Sequence, residues 1–149
     1  MNRDINKDKT IYVEFIDGTN VFVPIPSKYI SENVYELLST DEFDFEDKTI
    51  LFEFGPGDIV EVKINKFESG ESGFIANKLV KSGNKDNSFK RLLFYILNDS
   101  LTFEEALIEF GKTDLIKLID FVVSEGFVYS TIKQFVEKYR DEIEALLNK

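Results

Sequence analysis

The sequence predicts an α+β protein: an N-terminal five-stranded bent antiparallel sheet or small barrel, followed by a C-terminal lobe of four helices with winged-helix-like order. Three observations carry this. Short β-rich runs separated by Gly, Pro and Asp turns fill the first part of the chain, and apolar residues at helical spacing fill the rest. Between them, Ser82-Gly83-Asn84-Lys85-Asp86-Asn87-Ser88 is the one polar break of any length. The boundary is placed there, with residues 1–83 as the sheet lobe and 84–149 as the helical lobe.

The first strand is Ile11-Tyr12-Val13-Glu14-Phe15-Ile16, and Asp17-Gly18 leads into Val21-Phe22-Val23-Pro24-Ile25. Asp-Gly between two such runs marks a hairpin, because both residues tolerate the positive φ of a tight turn. Pro24 and Pro26 remove ladder donors, so the second strand is expected at an edge, or to end there. Residues 31–38 are expected to form one or two helical turns, with Val34, Leu37 and Leu38 on one side. Residues 49–54 read as a third strand and residues 59–64 as a fourth. Gly55-Pro56-Gly57-Asp58 reverses the chain between them: proline presets φ and glycine supplies the left-handed position. After a Gly-Ser turn, residues 74–80 form the fifth strand. The set resembles the Src-homology type of small barrel in architecture, which by itself implies no activity.

Among the helices, the first covers about residues 89–97. Thr102-Phe103-Glu104-Glu105 opens the second with a capping box, and Gly111 stops it. The third starts after Thr113 and ends at Glu125 before Gly126, a C-terminal capping glycine. The fourth runs from Ser130 to the end, with Ile132, Phe135, Val136, Tyr139, Ile143, Leu146 and Leu147 on one stripe. This order resembles a winged-helix or helix-turn-helix core, in which the third helix would read DNA. Its polar stripe is only Lys117, Asp120 and Ser124, and residues 88–149 carry eight basic and eleven acidic side chains. A groove reader needs the opposite balance, so the order reads as a packing scaffold.

The chain contains neither histidine nor cysteine. That removes Ser-His-Asp and Cys-His nucleophilic sites, histidine-bearing zinc sites and thiolate clusters together. No phosphate cradle or nucleophile elbow occurs either, so the chain is expected to be no enzyme and to hold no cofactor or metal. The net charge of −10 disfavours nucleic acid and anionic membranes and favours a basic partner. Residues 1–9 lack an apolar stretch and no run is long enough to span a bilayer, so a cytoplasmic location is expected.

Two constellations are candidates. Asp41, Glu42, Phe43, Asp44, Phe45, Glu46 and Asp47 interleave five acids with two phenylalanines, a pattern that can offer rings to a basic, grooved partner. The alternative is that the phenylalanines plug the barrel while the acids face water. Lys78, Lys81, Lys85, Lys90 and Arg91 gather around the link and suit an anion or an acidic partner, or else are a solvated linker. The resulting expectation is a non-catalytic acidic protein–protein interaction module, of inhibitor, immunity-factor or adaptor type, for a basic protein. Its rival is a nucleic-acid-associated regulator using the winged-helix-like lobe and the Lys78 to Arg91 basic cluster. The apolar stripe of the last helix leaves a homodimer open.

Overall fold

The computed structural model describes residues 9–17, 19–42, 45, 47, 50–98, 101–124 and 129–148. Contacts divide the chain into two units, Met1–Asn87 and Ser88–Lys149. The first is a closed barrel. Its strands are β1 (Lys9–Asp17), β2 (Thr19–Ser31), β3 (Val34–Leu37), β4 (Leu51–Phe52), β5 (Ile59–Lys66) and β6 (Ser72–Lys81). The ring runs β1-β2-β3-β5-β6 and returns to β1. All its pairings are antiparallel except the seam, where Tyr12 of β1 meets Ile75 of β6 in parallel. The sheet is therefore mixed, where a purely antiparallel one was expected.

Alternation explains the core. Ile11, Val13 and Phe15 of β1 face Ile25 of β2, Tyr35 and Leu37 of β3, and Val60 and Val62 of β5 in one buried cluster with Phe52 and Phe54. Residues at period two share a sheet face, so each strand contributes every second side chain. Glu14, Pro24, Lys28 and Glu61 take the intervening positions.

Two expectations for this unit need correction. Residues 31–38 form no helix: Ser31 pairs with Val34 across the two-residue turn Glu32–Asn33, and Asn33 takes φ 64°. Val34–Leu37 is then a strand between β2 and β5. A helix of two turns is marginal in water, whereas this segment gains ladders on both sides and buries Tyr35 and Leu37. The strand expected over 49–54 shrinks to Leu51–Phe52, paired with Ile16 and Phe15 outside the ring. The barrel keeps five strands, but not the five that were expected.

β2 also continues through both prolines, pairing Tyr12 with Pro24 and Thr10 with Pro26. The Pro26 carbonyl accepts from the Leu38 amide at 2.9 Å, away from β1. The two prolines share that orientation, so the N–H each lacks would have pointed away from the β1 ladder, and β3 joins β2 only from Ser27 onward.

Four helices follow among the described residues, the first starting within the last three residues of the first unit. α1 (Lys85–Leu97) begins four residues before its expected start: Asn84 Oδ1 accepts from the Asn87 amide at 2.8 Å and caps the first turn. The polar break is thus mostly helix. α2 (Phe103–Phe110) opens with the capping box, Thr102 and Glu105 bonding reciprocally. Only Gly111 separates it from α3 (Lys112–Ser124). Gly126, expected to cap α3, lies outside the described residues. α4 (Ser130–Leu146) buries Ile132, Phe135, Val136, Ile143 and Leu146, as its stripe requires. Tyr139 of that stripe departs from helical geometry at φ −113°, ψ 15°, and Leu147 is exposed. Within the second unit Ser88 Oγ donates to Asp114 at 2.9 Å and the Phe89 and Phe121 rings meet edge to face. No described helix is long and apolar enough to cross a membrane.

Candidate functional site

The acidic segment is divided by the fold. Asp41 and Glu42 are exposed, while Asp47 is half-buried and already has a partner. Phe45 turns inward: its ring meets Phe52 edge-on at 5.3 Å and Phe15 at 5.7 Å, against the barrel core. Phe43, Asp44 and Glu46 lie outside the described residues. Of the lysine-rich cluster, Lys78, Lys81 and Lys85 are exposed on the barrel unit, and Lys78 faces Glu61 across the β5–β6 ladder. Lys90 and Arg91 belong to the helical unit, and both have partners. Arg91 is 3% exposed, so its guanidinium is inside the fold.

A different group of rings comes together on the outside of the barrel. Tyr12 on β1 and Phe22 on β2 occupy the even positions, opposite in facing to Ile11, Val13 and Ile25. Phe67, just after β5, packs on both in tilted contacts: 5.0 Å and 57° to Tyr12, 5.8 Å and 60° to Phe22. The Tyr12 and Phe67 rings cover Gly73, where a Cβ would come within 3.1 Å of one and 2.9 Å of the other. The turn that presents Phe67 is closed by the Phe67 amide donating to the Glu71 carbonyl at 2.9 Å and the Gly70 amide donating to Phe67 at 2.9 Å. Glu68 and Glu71 are exposed on that turn, Glu14 pairs opposite Phe22, and Lys66 is the adjoining cation. Phe22 stays 43% exposed and Pro24 next to it is also exposed. Single exposed apolar side chains are ordinary; here three rings pack on one another at tilts of 57° and 60°. The signal was readable: Tyr12 and Phe22 have the wrong parity for the core. Phe67 carries no such mark, because it follows the strand.

The buried polar node of the barrel is structural. Asp58 is fully buried in the Gly55–Asp58 reversal, and its carboxylate accepts from the amides of Gly55 (2.9 Å) and Gly83 (2.6 Å) and from Asn87 Nδ2 (3.1 Å). Asn87 also donates to the Pro56 carbonyl at 2.9 Å. The two amide bonds hold the loops at Gly55 and Gly83, and the third ties the start of α1 to the reversal. Among the described residues no group of three or more acids is gathered as metal ligands would be, and no buried side-chain polar atom lacks a partner. Arg140 is held above its ordinary pKa by its hydrogen bond to Glu137, then by the charges of Glu137 and Glu144, on the exposed face of α4.

No protein-family model, curated protein or solved structure matches the chain.

Proposed function

We propose that this chain is a non-catalytic, acidic interaction module that binds a basic protein in the cytoplasm. Its contact surface combines the Tyr12–Phe67–Phe22 patch of the barrel with the exposed acids Asp41 and Glu42. The observation that carries the reading is the half-exposed Phe22 ring packed on Phe67, which in turn packs on Tyr12, with Glu68 and Glu71 exposed on the turn that carries Phe67. Rigid aromatic groups supply contact area at low entropic cost, and the surrounding carboxylates favour Arg and Lys on the partner. Three features support binding over chemistry: the absence of imidazole and thiol, the net charge of −10, and a buried carboxylate whose oxygens accept from the Gly55 and Gly83 amides and the Asn87 side chain.

The test compares affinity capture by the tagged chain, by Phe22→Ser and by the double variant Glu68→Gln/Glu71→Gln. The reading expects one basic protein, retained by the wild type and lost by Phe22→Ser at unchanged melting temperature. Identical recovery by all three forms, or recovery of nucleic acid alone with steep loss in salt, rejects it; the second result is what the lysine-based rival predicts.

A further inference from the structure

β2 is the longest strand of the barrel, yet it is paired on both sides for only part of its length. β1 lines one side over Thr19–Ser27, whereas β3 lines the other only from Ser27 onward. The Pro26 carbonyl accepts from the Leu38 amide on the β3 side, and successive residues of a strand turn their main-chain groups to alternate edges. By that parity the main-chain groups of Asn20, Phe22 and Pro24 point away from β1. Among the described residues no ladder or turn hydrogen bond reaches them there. Asn20 and Phe22 each offer an N–H and a C=O along this edge, and Pro24 a C=O alone. Sheet edges are usually blunted by proline, lysine or a covering segment. Pro24 and Pro26 blunt one end of this edge, and the half that begins at Thr19 is left bare.

The side chains agree with an open edge: Val21 is 44% exposed and Phe22 43%, on opposite faces of the strand. The surrounding charge is predominantly negative. Asp41 and Glu42 follow Leu38, whose amide marks the end of the β3 ladder. Glu68 and Glu71 are exposed on the turn whose Phe67 packs on Phe22. Lys28, the exposed cation of β2, lies opposite Glu36, where β3 has already joined. We infer that an extended basic segment of the partner adds to the barrel beside Thr19–Pro24, in line with β3 and antiparallel to β2. The inference rests on the reading above and specifies the form in which the partner is held. Strand alternation sets the chemistry of the segment: lysines or arginines on the face of Phe22, Glu68 and Glu71, and small apolar residues on the face of Val21. An acidic segment meets like charge there, and so does a second copy of the chain, which brings another net −10.

The test pairs the full chain with the synthetic peptide acetyl-Lys-Val-Lys-Val-Lys-Val-Lys-amide, and with its counterpart bearing glutamate for lysine, read by amide hydrogen exchange in NMR. In the free chain the Phe22 amide should exchange about tenfold faster than those of Val21 and Val23, which face β1. The basic peptide should slow it about tenfold, with a dissociation constant on the order of 0.1 mM, and the acidic one should not bind. Asn20→Pro removes an outward donor, as Pro24 already does, and should weaken the basic peptide about tenfold. Should that variant lose its fold, exchange of the wild-type Phe22 amide decides alone. Slow exchange of that amide in the free chain overturns the inference, as does failure of the basic peptide to bind or to protect it. Equal binding of the two peptides, an affinity unmoved by Asn20→Pro, or a concentration-dependent dimer lost in Asn20→Pro does the same. Capture of a basic protein that survives Asn20→Pro but not Phe22→Ser removes strand addition and leaves the ring patch standing. Capture that survives both removes the reading beneath it.

Discussion

At the scale of single residues, Asp58 shows why an acid deep in a barrel need not be catalytic. Three donors converge on its two oxygens, and two of them are backbone amides of loops that would otherwise be left unpaired. Removing a buried charged acceptor leaves those donors without partners, so Asp58→Ala should lower unfolding stability by about 3 kcal/mol, read from the guanidinium midpoint by circular dichroism. Gly83 belongs to the same knot by close approach. A Cβ there would lie 2.8 Å from both Asp58 N and Gly57 Cα, backbone atoms that cannot rotate away. Gly83→Ala should therefore cost about 2 kcal/mol, and its effect should not add to that of Asp58→Ala, because both act on one knot. Phe45 makes the contrasting point. Packed on Phe15 and Phe52 but only partly buried, its change to alanine should cost about 2 kcal/mol in the same assay. If Phe45→Ala leaves the midpoint unmoved, the ring is no core contact and belongs with the exposed acids.

At the scale of elements, the strength of the local signal decided what could be read. β1, β2, β5 and β6 and all four helices follow from period and punctuation, and the Thr102–Glu105 capping box forms as its spacing demands. β3 was hidden because four residues are too few to show a period: Val34, Leu37 and Leu38 fit a helical stripe as well as Tyr35 and Leu37 fit a strand. The decisive residue is Asn33, whose left-handed φ of 64° makes the tight turn into β3. Asparagine tolerates that region and β-branched residues do not. Asn33→Gly should accordingly leave stability nearly unchanged, while Asn33→Val should cost about 2 kcal/mol and expose the β2–β3 ladder to amide exchange. Equal stability of the two variants would mean that closure by β5 alone determines the strand. The break at Tyr139 was illegible for another reason: no proline or glycine announces it, so it follows from how α4 packs.

For the whole molecule, the charge is divided unequally. The barrel unit carries a net −7 and the helical unit −3, so the stronger field surrounds the unit with the aromatic patch. That imbalance was readable in the sequence. The facing of Tyr12 and Phe22 follows from strand parity, whereas that of Phe45 and Phe67 does not: Phe45 sits beside acids yet packs inward on Phe52, and Phe67 follows β5 and packs on Tyr12. Charge and rings should then act on different steps of binding. Long-range attraction speeds encounter and is screened over about 8–10 Å at physiological salt, while packed rings hold the complex after water has left. In surface-plasmon measurements with the basic partner, raising salt from about 50 to about 500 mM should slow association at least tenfold and leave dissociation within about twofold. Phe22→Ser should do the reverse, speeding dissociation about tenfold with the salt slope of association unchanged, since it removes contact area and no charge. Glu68→Gln/Glu71→Gln should flatten the salt slope with little effect on dissociation. A Phe22→Ser variant that slows only association would place the rings outside the contact, and a salt-independent association rate would remove the acidic surface from recognition altogether.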